Sequence, residues 1–195
     1  MKIYFREEHL LLRDMVRDFA INEIRPKAQE TDKGIFPVEN IKKMSELGLM
    51  GIPWEEKYGG NNMDTLALVI AIEEIGRECA STAATMMAHT SLGTAPIAIF
   101  GSEDQKKKYL PKLASGEILG AFGLTEPNAG SDAANTQTRA VKTKDGYIVN
   151  GQKVFCTNAG YAGTIIFTAL VVEEGEEKGI GAFIAESEMS GLSIG

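Results

Sequence analysis

Residues 125–132 and 155–158 hold the densest set of side chains in this chain that could do chemistry. Glu126 and Asp132 stand six positions apart in one Gly-containing loop. Two acids could share general acid–base work, but in such a loop they read better as acceptors for loop amides. Thr125, Ser131 and Thr157 differ in kind. Each hydroxyl flanks an apolar run beside a glycine turn. A single Thr in a strand needs no explanation. Three around one loop, together with free backbone donors, suit a polar or anionic group held against an apolar wall. His9 falls on an expected surface helix and reads as a solvated polar face. His89 falls in an apolar helix and reads as a hydrogen-bonded core or pocket-edge histidine, since no Ser/Asp constellation accompanies it. Cys156 follows an aromatic in an expected strand, with no basic group placed to activate the thiol, and reads as core. Met86 and Met87 serve packing, or an adaptable apolar pocket.

The elements that must position these groups change character near residue 116. Before it, apolar residues recur at helical spacing. An amphipathic helix is expected over 5–30, its apolar stripe running through Leu11, Met15, Phe19, Ile24 and Ala28, with Pro26 tightening its end. Further helices are expected over 38–47, stopped by Gly48, over 65–77, capped by Asp64, and over 81–100, broken near Gly93 and Pro96. Ser102 to Gln105 is a capping-box pattern opening a fifth helix that ends at Tyr109 or Leu110, before Pro111. After Gly116, strands are expected over 118–124, 136–142, 147–150, 152–156, 164–171 and 181–186. The turns between them indicate an antiparallel barrel or sandwich. The fold class expected is therefore α+β: an all-α domain over 1–116 and an antiparallel β-barrel domain over 117–195. The charge run 173–178 reads as a solvated hairpin tip. The chain stops at 190–195 on what looks like the start of another strand, so a longer parent protein is expected.

Composition narrows the classes. With 195 residues, 44% hydrophobic, the chain can bury one sizeable core or two small ones. A net charge of −7 argues against nucleic-acid binding. No apolar run reaches the length of a membrane span, and the first residues turn acidic without an apolar leader core. The two cysteines, Cys79 and Cys156, have no metal-ligand spacing with each other or with histidine. A reduced, cytoplasmic chain without a metal site is the expectation. Gly59-Gly60 is not followed by Lys-Ser/Thr, so it reads as a turn, and no GxGxxG stands between strand and helix.

The segment LTEPNAGSD over 124–132 resembles the signature of the acyl-CoA dehydrogenase family, and NGQKVFCTNA over 150–159 resembles its second flavin-contact segment. MGIP at 50–53, YGG at 58–60, AHTSL at 88–92 and QKKKYL at 105–110 extend the likeness, in order, over essentially the whole chain. Its flavour is the short-chain, butyryl-CoA type. Asn135 departs from the signature, which has a small residue there.

The resemblance implies FAD and an acyl-CoA substrate. Phe122, Leu124 and Thr125 would line the isoalloxazine, their backbone groups bonding its polar edge. Ser131 would contact the flavin phosphates or the CoA moiety. Phe155, where many relatives have Trp, would pack on the ring face away from substrate. Cys156 lies in the same contact segment, and Thr157 would hydrogen-bond near flavin N5. Met87, with Ser131, would serve the substrate. The resemblance further implies α,β-dehydrogenation of the thioester, electrons leaving to an electron-transferring flavoprotein, and a homotetramer or homodimer. It places no catalytic base in this chain: the carboxylate comes from a C-terminal helical bundle beyond residue 195. An enoyl-CoA reductase, an acyl-CoA oxidase or a non-catalytic binding module on the same fold stay open.

Overall fold

A computed structural model describes residues 4–195. Met1 to Ile3, part of the stretch read for a leader, lie outside the described residues. Contacts divide the chain into two compact units, one running through Ile118 and the other Leu119–Gly195.

The first unit is helical. α1 (Glu7–Phe19) continues through a π-helical turn, Ala20–Ile24, and a 3-10 turn holding Pro26 into α2 (Ala28–Asp32). The expected stripe is buried only in part: Ile24 is, Phe19 and Ala28 are half-buried, and its N-terminal members are not. Leu11 is 65% exposed and Met15 is exposed, whereas His9, Val16, Ala20 and Ile24 form the inward row. His9 is itself a correction. It is 2% exposed, and Nε2 lies 3.0 Å from Asp64 Oδ1, with Nδ1 accepting from the Arg6 N–H. The N-terminal end of α1 is thus anchored to the start of α4 (Thr65–Glu78), where Asp64 also caps Ala67 N at 2.9 Å. Lower on the same two helices, Arg17 makes a two-pronged bond to the buried Glu74 at 3.0 and 2.7 Å.

α3 (Val38–Glu46) ends at Gly48, whose φ of +72° glycine adopts with no Cβ penalty. α5 (Ala80–Met87), a π-helical stretch Ala88–Thr94 and α6 (Ala95–Phe100) replace the single broken helix expected over 81–100. α7 (Glu103–Ser115) has the expected capping box between Ser102 and Gln105, but runs through Pro111 to Ser115. Pro111 is exposed, as is Lys107, whose carbonyl loses its N–H partner. Leu110, Leu113 and Ala114 keep the far turn against the core, and that burial outweighs the lost bond. No helix among the described residues is long and apolar enough to cross a membrane.

The second unit is a mixed sheet, not the antiparallel barrel expected. β4 (Ala162–Glu173) is its axis. β5 (Glu176–Glu186) pairs antiparallel along it, while β1 (Leu119–Gly123) and β2 (Arg139–Thr143) both pair with it parallel. β3 (Gly146–Asn150) closes an antiparallel hairpin with β2. The physical reason lies in the connections. Two-residue turns force antiparallel pairing, and both hairpins here have them. The β4–β5 turn has φ of +53° at Glu174 and +83° at Gly175, the pattern of the tight hairpin turn, and it carries the charge run expected at such a tip. The links from β1 to β2 and from β3 to β4 are long enough to cross over, and a period of two is silent on direction. No strand forms over 152–156 or 190–195.

Candidate functional site

β1 is buried along most of its length, and its chain emerges at Leu124 into a loop. Glu126 N donates to Ala129 O at 2.9 Å and Ala129 N to Glu126 O at 3.2 Å, closing a tight turn over Pro127 and Asn128. Residues 153–158, though not a strand, lie alongside in the opposite sense. Asn158 Nδ2 reaches Gly120 O at 3.3 Å, Cys156 meets the backbone of Phe122, and Val154 N donates to Thr125 O at 2.8 Å. So the structure brings Phe122, Leu124 and Thr125 beside Phe155, Cys156 and Thr157.

Beneath this junction sits a buried ion pair. Glu126 is 4% exposed. It accepts from Gln137 N at 2.6 Å, Thr138 N at 3.1 Å, the Thr136 hydroxyl, and Lys153 Nζ at 2.6 Å. Burial pushes the carboxyl upward, but Lys153, Thr136, Thr138 and the Gln137 amide together hold it well below the usual carboxylate range. A carboxylate so fully engaged is no base. Asp132 is exposed, with its backbone carbonyl accepting from Asn135 N at 3.1 Å, and does not share the environment of Glu126. Lys153, which composition alone does not single out, is the member missed by sequence reasoning. No local sequence signal marks it; in the structure Gly123 makes room for it, since a Cβ there would lie 3.0 Å from Lys153 Cγ. Gly151 is likewise forced, since a Cβ would meet Thr138 Oγ1 at 2.3 Å.

Above the pair the surface is apolar and open. Phe155 is 91% exposed and holds φ +56°, a left-handed conformation that a bulky residue rarely adopts. Leu124 is exposed, Phe122 and Thr125 are half-buried, and Thr157 is exposed. Cys156 is half-buried. Burial pushes its thiol up, against the opposing Phe122 backbone group, so it is not an activated nucleophile. Ser131 stands exposed in the loop. Met87, in the helical unit, is 45% exposed. His89 is fully buried there, Nε2 3.0 Å from Leu113 O; burial lowers its pKa to about 4, against backbone bonds at Leu113 and Met50 that raise it. Among the described residues no group of three or more His, Cys, Asp or Glu could hold a metal ion.

An exposed aromatic, an exposed aliphatic, and hydroxyls between them, all fixed on a buried ionic base, form a wall fit for a flat ring with a polar edge. Comparison with known proteins gives that wall a family. The model for the acyl-CoA dehydrogenase N-terminal domain matches residues 6–117, and that for the acyl-CoA dehydrogenase middle domain matches residues 121–195. A short-chain specific acyl-CoA dehydrogenase of Clostridium acetobutylicum is 47% identical over 100% of this chain and 52% of its own length. A chain of the structure described as the electron transferring flavoprotein of Acidaminococcus fermentans superposes with a TM-score of 0.92 at 41% identity, covering 98% of this chain and 50% of that one. The acyl-CoA dehydrogenase complexed with FAD from Bacillus anthracis gives 0.90 at 38%, covering 97% of this chain and 32% of that one. The chain spans about half the length of the curated relative it matches. It carries both of the domains named by the matching models, and it belongs to the acyl-CoA dehydrogenase family.

Proposed function

We propose that this chain is the N-terminal (1–116) and middle (117–195) part of an FAD-dependent, short-chain acyl-CoA dehydrogenase, and that it supplies the wall on which the flavin lies. The observation that carries the reading is Phe155. A large aromatic left almost wholly in water, on a backbone conformation that costs free energy, is placed for something other than folding. The named relative's short-chain specificity and the FAD in the Bacillus anthracis structure support the reading.

FAD, when bound, supplies the hydride acceptor. The reaction takes a proton from the carbon α to the thioester and a hydride from the β carbon, leaving a trans double bond between them. The part of this chain is to hold and shape. Phe155, Phe122 and Leu124 would hold the ring by apolar contact. Thr125 and Thr157 offer donors where negative charge develops, without adding a competing base. Ser131 takes a phosphate or the CoA moiety, and Met87 serves the acyl chain. Glu126 is committed to Lys153 and is not the base; the family resemblance implies that the proton-abstracting carboxylate comes from a C-terminal helical bundle outside residues 1–195. Electrons pass to an electron-transferring flavoprotein, and the whole enzyme is a cytoplasmic homo-oligomer.

The test is spectroscopic. Full-length protein purified from cells is expected to be yellow, and its flavin absorbance is expected to bleach on adding acyl-CoA, most strongly for short acyl chains. Colourless protein with no thioester-induced spectral change would overturn the reading.

A further inference from the structure

The ion pair under the loop also grips the loop's backbone. Lys153 Nζ donates to the carbonyl of Leu124 at 3.1 Å, besides Glu126 Oε1 at 2.6 Å, Thr136 Oγ1 at 3.1 Å and Thr168 Oγ1 at 3.3 Å. The side chains of Lys153 and Glu126 are 12% and 2% exposed. The next carbonyl, that of Thr125, is taken by Val154 N at 2.8 Å. Successive residues, 153 and 154, thus hold both carbonyls that flank the Thr125 side chain.

We infer that Lys153, braced by Glu126, is a positioning residue that turns the Thr125 N–H outward as a fixed donor to the bound ring. The inference rests on the flavin reading above. In a trans peptide the carbonyl of one residue and the N–H of the next point in opposite directions, and no peptide among the described residues is cis. Pinning Leu124 C=O toward the ion pair therefore points Thr125 N–H away from it. Without the ammonium, that peptide is free to flip and present a carbonyl, an acceptor where an electron-rich ring needs a donor. Gly123 belongs to the same device. It leaves room for the lysine stem, whose Cβ a side chain there would meet at 3.2 Å. Glu126, bonded to Thr136, Gln137 and Thr138, supplies the anchor that keeps the ammonium from being a lone buried charge.

A donor aimed at a ring that gains negative charge on reduction binds the reduced form more tightly than the oxidised form. Loss of a hydrogen bond to a charged group is worth about tenfold or more, and tenfold for a two-electron couple is about 30 mV. The experiment uses the full-length protein, wild type, Lys153→Met and Glu126→Gln/Lys153→Met. The double variant removes no net charge and leaves no unpaired buried ion, so it covers the case in which Lys153→Met alone fails to fold. Flavin midpoint potential is measured by spectroelectrochemistry, with flavin content and the melting of flavin-free protein alongside. The expected result is a potential about 30 mV more negative in both variants, together with weaker FAD retention. A loaded double variant with the wild-type potential, whatever its melting temperature, overturns the inference while leaving the flavin reading standing. A wild type that holds no flavin overturns both.

Discussion

Phe155→Asn should make the flavin-free protein more stable while weakening its hold on FAD. The magnitude comes from two terms. Phe155 is 91% exposed, so about 9% of its surface is buried. On an aromatic of about 200 Å², that is about 18 Å², worth about 0.5 kcal/mol. Against it stands φ +56°, which costs an L-residue about 1–2 kcal/mol, and which Asn tolerates through its short polar side chain. Net stabilisation of about 1 kcal/mol follows. In the unit Leu119–Gly195 that raises the melting midpoint by about 4–8 °C. Asn is preferred to Gly because Gly would add unfolded-state entropy and blur the sign. The assay is thermal melting of apo full-length protein beside FAD titration followed by fluorescence. FAD affinity should fall by about tenfold or more, as expected when a stacking face is lost. A variant that melts at or below wild type would refute the claim of stored backbone strain. A variant that binds FAD as tightly as wild type would refute the claim that the strain serves the ring.

Three further outcomes are expected. Thr157 is exposed, so Thr157→Val should leave the melting midpoint within about 1 °C and slow flavin reduction by about tenfold, read by stopped flow; equal losses in both would contradict its placement at the ring. Arg17→Ala leaves the buried Glu74 with only the longer contact to Arg77 at 3.7 Å and should cost about 2 kcal/mol in a urea titration, less than a fully buried pair because Arg17 is partly exposed; Arg17→Ala/Glu74→Gln should recover most of it. His89 is depressed from 6.5 to about 4, so the unfolded chain binds the extra proton first, and stability present above pH 6.5 is lost as pH falls towards 4. The span is worth about 3 kcal/mol. Urea midpoints for wild type and His89→Gln should diverge between pH 7 and pH 4.5, and parallel curves would place the pH dependence elsewhere.

What the sequence exposed, and what it hid, follows from which physical signals are local. The caps at Asp64 and Ser102, the stop at Gly48 and the hairpin tip at Glu174-Gly175 are decided within four residues, and each stands where the sequence placed it. The inward face of α1 is not local. Leu11 and Met15 satisfy helical spacing as well as Val16 and Ala20 do, and the choice falls to what α4 offers, including the Asp64 carboxylate that draws His9 inside. A polar residue can therefore mark the buried face, and hydropathy alone points to the wrong one. Strand direction is non-local in the same way. It is set by connections long enough to cross over, such as residues 151–161 before β4, whose length is visible but whose path is not.

The site divides along the same line. The residues proposed to face the ring stand in two motifs and are named by resemblance. Their support could not, because Lys153 acts through Leu124 and Glu126, which lie 29 and 27 positions away. A lysine three residues before Cys156 is close enough in sequence to suggest an activator of that thiol. The geometry spends its ammonium on a carboxylate and a backbone carbonyl instead, and burial keeps the thiol protonated. The exposed wall can stay rigid because the charge beneath it is fully paired: strain at Phe155 and freedom at the loop are tolerable only where neighbouring groups over-determine the backbone. On this proposal a surface made of exposed apolar groups depends on the buried Glu126–Lys153 pair beneath it, and that dependence is invisible to any reading that treats residues one at a time.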